Sequence, residues 1–345
     1  MIQKIGALLL ILSLLLPSLS SCSTSREKIY YQYFDTVIAI SSTRAAARDF
    51  EENAAAAEKE ISDYHRLFDI YHEYSGMKNL CSVNRAAGNE VVSIDRRLFD
   101  FLSQAKAMYE KTDGHLNVMM GAVTSLWKAA GADAESGTGV LPAEEEIAVA
   151  LLHCSIDSLV LDEENLTAYI SDPKASLDVG AFGKGYAAER VAELLSSRGV
   201  SDSYVLDFGG NLRVIGAPHN RDAFIAGIRD PQANVSGEHV LRLYLKDASL
   251  VTSGSYFRYF EIDGVRYHHL IDPETGYPAS VFSSVTIYGA DSGICDALST
   301  ALFVMTEEEG RALLKNYFEG YEAAWVYASG VLSYTDGISA RIAEN

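Results

Sequence analysis

Hydrophobic residues recur with a helical period along much of the chain. In residues 95–111, for example, Leu98, Phe101 and Met108 fall on one face of a helix. Residues 45–68 are rich in Ala and Glu, which favour helix formation. The pattern predicts helices over residues 45–68, 95–111, 144–152, 184–197, 292–305 and 307–317.

Stretches rich in aromatic and β-branched residues predict strands. These are residues 30–40 (YYQYFDTVIAI), short strands near 158–161 and 168–171, strands and turns from 203 to 288, and a closing hairpin. Residues 130–142 are small and polar, so they form either a surface loop or the best internal boundary. Helices concentrate early and strands late, which predicts an α+β fold rather than a doubly wound parallel sheet.

The first residues have the composition of an export signal. Lys4 precedes an apolar run at residues 6–16, which is shorter than the ~20 residues of a membrane-spanning helix. The segment ends Leu-Ser-Ser-Cys at Cys22, which resembles a bacterial lipobox, although an ordinary secretory signal with an incidental Cys is the alternative. We predict a lipoprotein signal peptide at residues 1–21, lipidation of Cys22, a tether at 22–28 and one domain at 29–345, held at the cell envelope and facing the periplasm or exterior.

The composition excludes some classes of protein. Lys and Arg total 28 against 47 Asp and Glu, a formal charge of -19, so no general nucleic-acid binder is expected. An anionic ligand would need backbone amides, a metal ion or a few placed cations. Beyond Cys22, the odd number of cysteines (Cys81, Cys154 and Cys295) leaves at least one free thiol, and none has metal-ligand spacing.

Residues 176–186 (SLDVGAFGKGY) place three glycines around Lys184 at a strand-to-helix transition. Exposed amides at a helix N-terminus and the Lys charge suit an anionic group, and a tight turn with an exposed Lys is the alternative. The spacing is not that of a Walker A loop. Asp178 either accepts from a base or sugar hydroxyl, or caps the turn.

Two further segments carry turn residues or histidine. DFGGN at residues 207–211 lacks the other kinase motifs, so its glycines indicate a close backbone approach or a sharp turn. His268 and His269 precede a Pro- and Gly-containing turn at 272–276. Adjacent strand residues point to opposite faces, so at most one His faces a given site.

Asp296 and Thr300 are four residues apart on the apolar helix predicted at 292–305, and so share one face. A carboxylate and a hydroxyl on such a helix need partners. Mg²⁺, a hard cation that prefers oxygen ligands, is one possibility. A helix-capping Asp with Thr bonded back to the helix carbonyl is the other.

Several segments together, in order, resemble the FAD:protein FMN transferase (ApbE-type) family. They are SLDVGAFGKGY, DFGGN, TSGSYFRYF (252–260), HHLIDPETGYP (268–278) and CDALSTALFVM (295–305), with Phe-Asp-Thr at 34–36 and TDGHLNVMMGAVTSLW at 112–127. The resemblance implies an α+β fold related to the tunnelling-fold enzymes. It also implies that FAD and Mg²⁺ bind, that FMN is transferred to a Thr or Ser of an acceptor protein, such as a redox-pump subunit, and that AMP leaves.

The resemblance also implies roles for single residues. The metal ligands would be Asp296, Thr300 and the backbone carbonyl of Ala181. His269 would take the proton of the acceptor hydroxyl, and Lys184 would add positive charge at the phosphates. The implied FAD contacts are Phe34, Tyr74, His115, Leu116, Asn117, Asp178, Lys184 and Leu270. Phe34 stands where many members have Met, and Asn117 where many have Asp.

Two other functions use the same residues or fewer of them. Some relatives are Mg²⁺-dependent FAD pyrophosphatases that give AMP and free FMN. A lipoprotein that captures flavin without chemistry would not need the metal pair of Asp296 and Thr300. Residues 272–277 lack the Ser/Thr-Gly-Ala-Thr/Ser-like acceptor pattern, so self-flavinylation is not expected.

Overall fold

The computed structural model describes residues 25–135, 137, 139–201, 203–233 and 238–343. The predicted signal peptide and Cys22 therefore lie outside the described residues. Within the described ranges, no helix combines the length and the apolar character needed to cross a membrane.

The strands are, in chain order, β1 (Arg26–Tyr30), β2 (Ile38–Ser42), β3 (Val92–Ser93), β4 (Leu159–Asp162), β5 (Thr167–Ile170), β6 (Tyr204–Phe208), β7 (Asn211–Ile215), β8 (Phe224–Arg229), β9 (His239–Leu245), β10 (Ser249–Gly254), β11 (Tyr259–Ile262), β12 (Val265–His268), β13 (Phe282–Gly289), β14 (Glu322–Tyr327) and β15 (Leu332–Tyr334). The main sheet of the described chain runs β1-β2-β6-β7-β10-β13-β14-β15, and every neighbouring pair is antiparallel. The pairs β8–β9 and β11–β12 and the trio β3-β5-β4 form smaller sheets.

The helices are α1 (Ala47–Phe68), α2 (Leu80–Arg85), α3 (Arg96–Lys111), α4 (Gly121–Glu135), α5 (Glu144–Leu151), α6 (Gly183–Ser197), α7 (Ser292–Val304), α8 (Glu307–Tyr317) and α9 (Asp336–Ser339). The six predicted helices are confirmed to within two residues at each end. α7 packs on β10 and β13, α6 packs on α7, and α1 packs on α6. The predicted α+β fold with helices on an antiparallel sheet is therefore confirmed.

An aromatic cluster holds the helices together around residues 180–185 (GAFGKG), called the glycine loop below. Phe101 stacks on Phe182 with ring centroids 5.0 Å apart, and Tyr186 meets Phe101 edge-on at the same distance. Phe68 at the end of α1 lies 4.2 Å from Phe101. Because Phe182 immediately precedes α6, the burial of this cluster fixes the loop that begins that helix.

The single strand predicted at residues 30–40 is wrong. The chain forms the β1–β2 hairpin there, and Phe34 and Asp35 turn it with φ of 54° and 49°. The hydrophobic pattern does not show the break, because Ile38 and Ile40 after the turn are as buried as Tyr30 before it. The prediction missed a turn made by residues that rarely adopt this backbone conformation.

The polar segment at residues 130–142 begins later than predicted, since α4 continues to Glu135. Ala130 is buried, and a Cβ on Gly131 would lie 3.0 Å from the ring of Phe260. Small residues here let the β11–β12 hairpin pack closely on the helix. The three cysteines of the described chain are all free and buried, which confirms the predicted free thiol.

Candidate active site

The glycine loop leads directly into the interface between α6 and α7. The amides of Phe182 and Gly183 donate to the carbonyl of Val179 and start the helix. A Cβ on Gly185 would overlap the carbonyl of Ser292 and the side chain of Asp296. Glycine at this position therefore allows the two helices to touch, and the contact brings the loop to the Asp296 face of α7.

Three polar side chains and two backbone groups meet at this contact. Asp296 is 3% exposed, and its Oδ2 accepts a hydrogen bond from the Gly185 amide at 2.8 Å. The Lys184 Nζ lies 4.0 Å from the same oxygen. One turn further along α7, Thr300 Oγ1 donates to the carbonyl of Ala181 at 3.1 Å. The predicted ligands Ala181, Asp296 and Thr300 thus lie together. Ala181 in the loop is 115 or more residues away in sequence from the two residues on α7.

Neighbouring hydroxyls hold this face of α7 against β10. Ser253 Oγ lies 2.8 Å from Ser299 Oγ and 3.4 Å from Thr300 Oγ1. Ser299 Oγ also donates to the Asp296 carbonyl at 2.9 Å. Neither Ser253 nor Ser299 was predicted as a site residue, although Ser253 lies in the segment TSGSYFRYF (252–260).

The donor set fits a hard divalent cation. Mg²⁺ binds oxygen at about 2.0–2.1 Å in octahedral geometry, so adjacent ligands are about 3 Å apart. The 3.1 Å between Thr300 Oγ1 and the Ala181 carbonyl matches such a pair. Among the described residues, no group of three or more His, Cys, Asp or Glu is arranged for a metal. A cation held here would have one carboxylate from the protein, an arrangement common for Mg²⁺ that also binds phosphates.

Lys184 brings positive charge into a confined position. Its side chain is 18% exposed. Burial lowers the pKa of Lys184, the Asp296 carboxylate opposes this change, and the charge of Arg258 lowers the pKa further. An anion bound beside Lys184 would therefore relieve repulsion between cations as well as gain direct attraction.

The two adjacent histidines differ as strand geometry predicts. His268 is 8% exposed, its Nε2 donates to the Ala279 carbonyl at 2.6 Å, and its Nδ1 accepts from the Leu270 amide. His269 is exposed on the other side. Desolvation by the surrounding protein is the largest cause that lowers the pKa of His269 well below its usual range. The positive charges of Arg258 and Lys184 lower it further. His269 is thus the histidine that lies within electrostatic reach of Lys184, and its lowered pKa favours the neutral imidazole.

Asp178 is already paired inside the protein. Its Oδ2 accepts from Thr124 and from the Lys128 Nζ, each at 2.7 Å, and its Oδ1 accepts from the Gly180 amide at 3.0 Å. Burial raises its pKa, but the Lys128 charge and these hydrogen bonds outweigh burial, so the pKa of Asp178 is lowered. Asp178 anchors the glycine loop to α4, whether or not it also contacts a ligand.

An aromatic residue that was not predicted as a site residue lies beside the ion pair of Lys128 and Asp178. The Lys128 Nζ lies 5.5 Å from the centroid of the Tyr71 ring, and that ring is 57% exposed. Tyr74, the predicted flavin contact, donates instead to Asp69 at 2.7 Å and lies under the guanidinium of Arg66. Tyr71 therefore lies next to the Lys128–Asp178 pair that holds the glycine loop, and the flavin contact of Tyr74 stays a prediction.

The segment after α3 is tied to the protein's own backbone. The Asn117 amide donates to the Cys154 carbonyl and its Oδ1 accepts from the Met119 amide, both at 2.8 Å. Asp could not make the first bond, which explains Asn at this position. Leu116 is buried, and His115 Nδ1 lies 2.9 Å from the Thr112 carbonyl. Their predicted contact with FAD stays a prediction.

Phe34 and Leu270, two of the predicted flavin contacts, pack against apolar and aromatic residues. The Phe34 ring contacts His65 and, at 6.4 Å, Phe68, whose own ring would touch a Cβ on Gly183. Leu270 is 4% exposed and belongs to the core. Phe34 is near the glycine loop through Phe68, and the prediction that both residues line a flavin ring remains untested.

Fold and site together define an α+β protein in which the Ala181 carbonyl, Asp296 and Thr300 lie beside Lys184, with the exposed His269 on the neighbouring hairpin arm. The sequence profile of the ApbE family matches residues 34–325. The chain belongs to the ApbE family.

Individual relatives agree with this membership. The FAD:protein FMN transferase of Treponema pallidum (strain Nichols) is 34% identical over 277 residues, 76% of this chain and 74% of the relative. That of Klebsiella pneumoniae (strain 342) is 31% identical over 72% of this chain and 78% of its own length. The crystal structure of the ApbE protein of Thermotoga maritima has a TM-score of 0.81 and 28% identity, and covers 93% of this chain and 100% of that protein. The flavin transferase ApbE of Vibrio cholerae shares the fold, with a TM-score of 0.75, 22% identity and coverage of 92% and 99%.

Proposed function

We propose that this protein is a Mg²⁺-dependent flavin transferase, which moves FMN from FAD to a Thr or Ser hydroxyl of an acceptor protein and releases AMP. Flavin transfer is the activity named for its relatives. The observation that carries the proposal is the convergence of Asp296, Thr300 and the Ala181 carbonyl beside Lys184. These groups match the needs of a diphosphate substrate that arrives with a cation.

The protein's own residues have distinct tasks in this reaction. Lys184 faces the phosphates and offsets their negative charge. His269 accepts the proton of the acceptor hydroxyl while that oxygen bonds to the phosphorus of the FMN half. The bond from this phosphorus to the bridging oxygen breaks, and AMP leaves with the electron pair. Bound Mg²⁺ would supply Lewis-acid neutralisation at the phosphates, held by Asp296, Thr300 and the Ala181 carbonyl.

Hydrolysis of FAD is the second candidate function. His269 is exposed, so a water molecule can take the place beside it that the acceptor hydroxyl would otherwise occupy. The same proton transfer from water gives AMP and free FMN. The identity of the nucleophile therefore decides between the two reactions, and the residues around the phosphates are common to both.

The proposed setting is the cell envelope. The N-terminal segment supports a lipoprotein, with a signal peptide at residues 1–21 and lipid on Cys22, attached to a membrane and facing the periplasm or exterior. Metabolic labelling with a fatty-acid analogue tests this. Label on the native chain that is lost in Cys22→Ser supports the anchor, and an unlabelled native chain argues for an ordinary secretory signal.

The activity is tested by mixing the purified protein with FAD, Mg²⁺ and a candidate acceptor that carries a Ser/Thr-Gly-Ala-Thr/Ser-like motif. A flavin-fluorescent acceptor band after denaturing electrophoresis, with stoichiometric AMP, supports transfer. AMP and free FMN without a band support hydrolysis. Flavin binding with neither product supports capture alone. An acceptor whose target hydroxyl is replaced by Ala or Val is the matched control.

A further inference from the structure

Arg258 stands opposite His269 at the open end of the β11–β12 hairpin. Tyr259 and His268 are the last paired residues of this hairpin, so Arg258 and His269 are the next residues on its two arms. Arg258 has φ of 46°, a left-handed conformation that is uncommon for a residue other than glycine. The chain therefore turns at Arg258 beside the proposed base, and its side chain departs from the alternation of the strand.

The guanidinium of Arg258 is exposed and makes no ion pair or side-chain hydrogen bond with any residue the structure describes. On the same hairpin, by contrast, Arg266 is paired with Glu261 at 2.8 Å. An unpaired cation next to a site is notable in a chain with a formal charge of -19. Carboxylates are abundant in this protein, yet none of those described lies within 4 Å of this guanidinium.

The charge of Arg258 acts on the site already described. This positive charge acts on both His269 and Lys184, which come from different elements. Lys184 opens α6 and His269 follows β12, so Arg258 is within electrostatic reach of both. Asp296 offsets only part of this positive charge. A ligand with two negative phosphates would neutralise the remainder.

We propose that Arg258 is a further catalytic residue, a second cation that contacts the diphosphate of FAD from the hairpin side, across from Lys184. The inference rests on the proposed function. Guanidinium groups bind phosphate oxygens in a planar, bidentate manner that an ammonium group cannot reproduce. Lys184 and Arg258 would then hold the diphosphate between α6 and the hairpin, with His269 next to the attacking hydroxyl.

The test compares Arg258→Gln, Arg258→Lys and, as a matched control, Arg266→Gln on the same hairpin. Dissociation constants are measured for FAD, for ADP and for riboflavin, which lacks phosphate, together with AMP release at saturating FAD. We expect Arg258→Gln to weaken ADP and FAD binding, or to slow AMP release, by about 10- to 100-fold. Riboflavin binding should stay unchanged, Arg258→Lys should recover part of the loss, and Arg266→Gln should behave as the native protein.

Three outcomes would overturn the assignment. Native ADP binding and native AMP release in Arg258→Gln would show that the guanidinium does not touch the phosphates. A raised KM for the acceptor protein with native ADP binding and AMP release would assign Arg258 to acceptor docking instead. Equal loss of ADP and riboflavin binding would indicate a structural role and also contradict it. If the native protein releases no AMP, the proposed function fails, whereas native ADP affinity together with native AMP release in Arg258→Gln contradicts only this inference.

Discussion

The backbone amide of Gly185 donates to Asp296 Oδ2 at 2.8 Å and so joins the first turn of α6 to the buried face of α7. This bond satisfies one oxygen of a carboxylate that is only 3% exposed. It also places the carboxylate next to the glycine loop that carries Ala181 and Lys184. The site therefore depends on how closely two helices approach, as well as on the side chains they carry.

Gly185→Ala should separate these helices. The added Cβ would overlap the Ser292 carbonyl and Asp296, and overpacking of this kind costs about 1–3 kcal/mol. We expect a lower melting temperature and a large loss of AMP release from FAD. Ser196→Ala, on the exposed end of the same helix, is the control and should match the native protein. Native stability and turnover in Gly185→Ala would mean that the α6–α7 contact is looser than described.

Asp296→Ala should abolish AMP release, because it removes the only carboxylate among the three proposed ligands. Asp296→Asn keeps the shape and can still accept from the Gly185 amide, so it tests the charge separately from the fold. Both variants should need far more Mg²⁺ for any residual turnover, measured by chromatography of AMP. Normal turnover of Asp296→Ala would contradict the metal assignment.

Thr300 offers a sharper comparison, since Val has nearly the same shape as Thr without the hydroxyl. Thr300→Val should raise the Mg²⁺ concentration for half-maximal activity by roughly 10-fold or more, whereas Thr300→Ser should stay close to native. Thermal melting checks that the Ser253–Thr300 contact is not the cause. Equal Mg²⁺ dependence in the Val and Ser variants would exclude Thr300 Oγ1 as a ligand.

As pH is lowered, kcat/KM for FAD should begin to fall only at low pH. The pKa of His269 is lowered by its surroundings and by Arg258 and Lys184, so the imidazole of the free protein stays neutral as pH falls through its usual range. At saturating Mg²⁺, kcat/KM for FAD should therefore hold down to below pH 6.5, the ordinary pKa of histidine. Bound phosphates favour the charged imidazole, so the acid limb of kcat should lie at higher pH. A kcat/KM limb at pH 6.5 or above, or native transfer by His269→Gln, would contradict the base assignment.

Asp207, in the DFGG turn, should make stability fall as pH rises. Burial raises the pKa of Asp207 to about 6, and the amide of Gly210, which donates to its Oδ1 at 2.8 Å, only partly opposes this. The folded protein then holds a proton that the unfolded chain loses near pH 4, so the free energy of unfolding decreases between about pH 4 and 6. Asp207→Asn keeps the acceptor oxygen and should stabilise the protein by up to about 3 kcal/mol at pH 8, with little effect at pH 4. Denaturant unfolding at both pH values measures this, and a difference independent of pH would refute it.

The local spacing of residues in the sequence was enough to predict a good part of the site. The periodicity of α7 placed Asp296 and Thr300 on one face, and the run of glycines around Lys184 marked the start of α6. Such relationships hold within a few turns of helix and need no knowledge of distant residues. The order of the family segments added the activity, and strand alternation predicted that His268 and His269 would face apart.

The sequence by itself therefore determined the α+β class, six of the nine helices in the described chain, the family and most of the polar residues around the proposed cation. Only the tertiary structure decided which partners they have. It turned the predicted strand at 30–40 into a hairpin, paired Asp178 with Lys128 from fifty residues away, and set Tyr71 beside that pair. The physical reason for the last two contacts is that they join segments far apart in the chain, whose approach depends on packing of the whole core rather than on local periodicity. The hairpin depends on a turn that the hydrophobic pattern does not show.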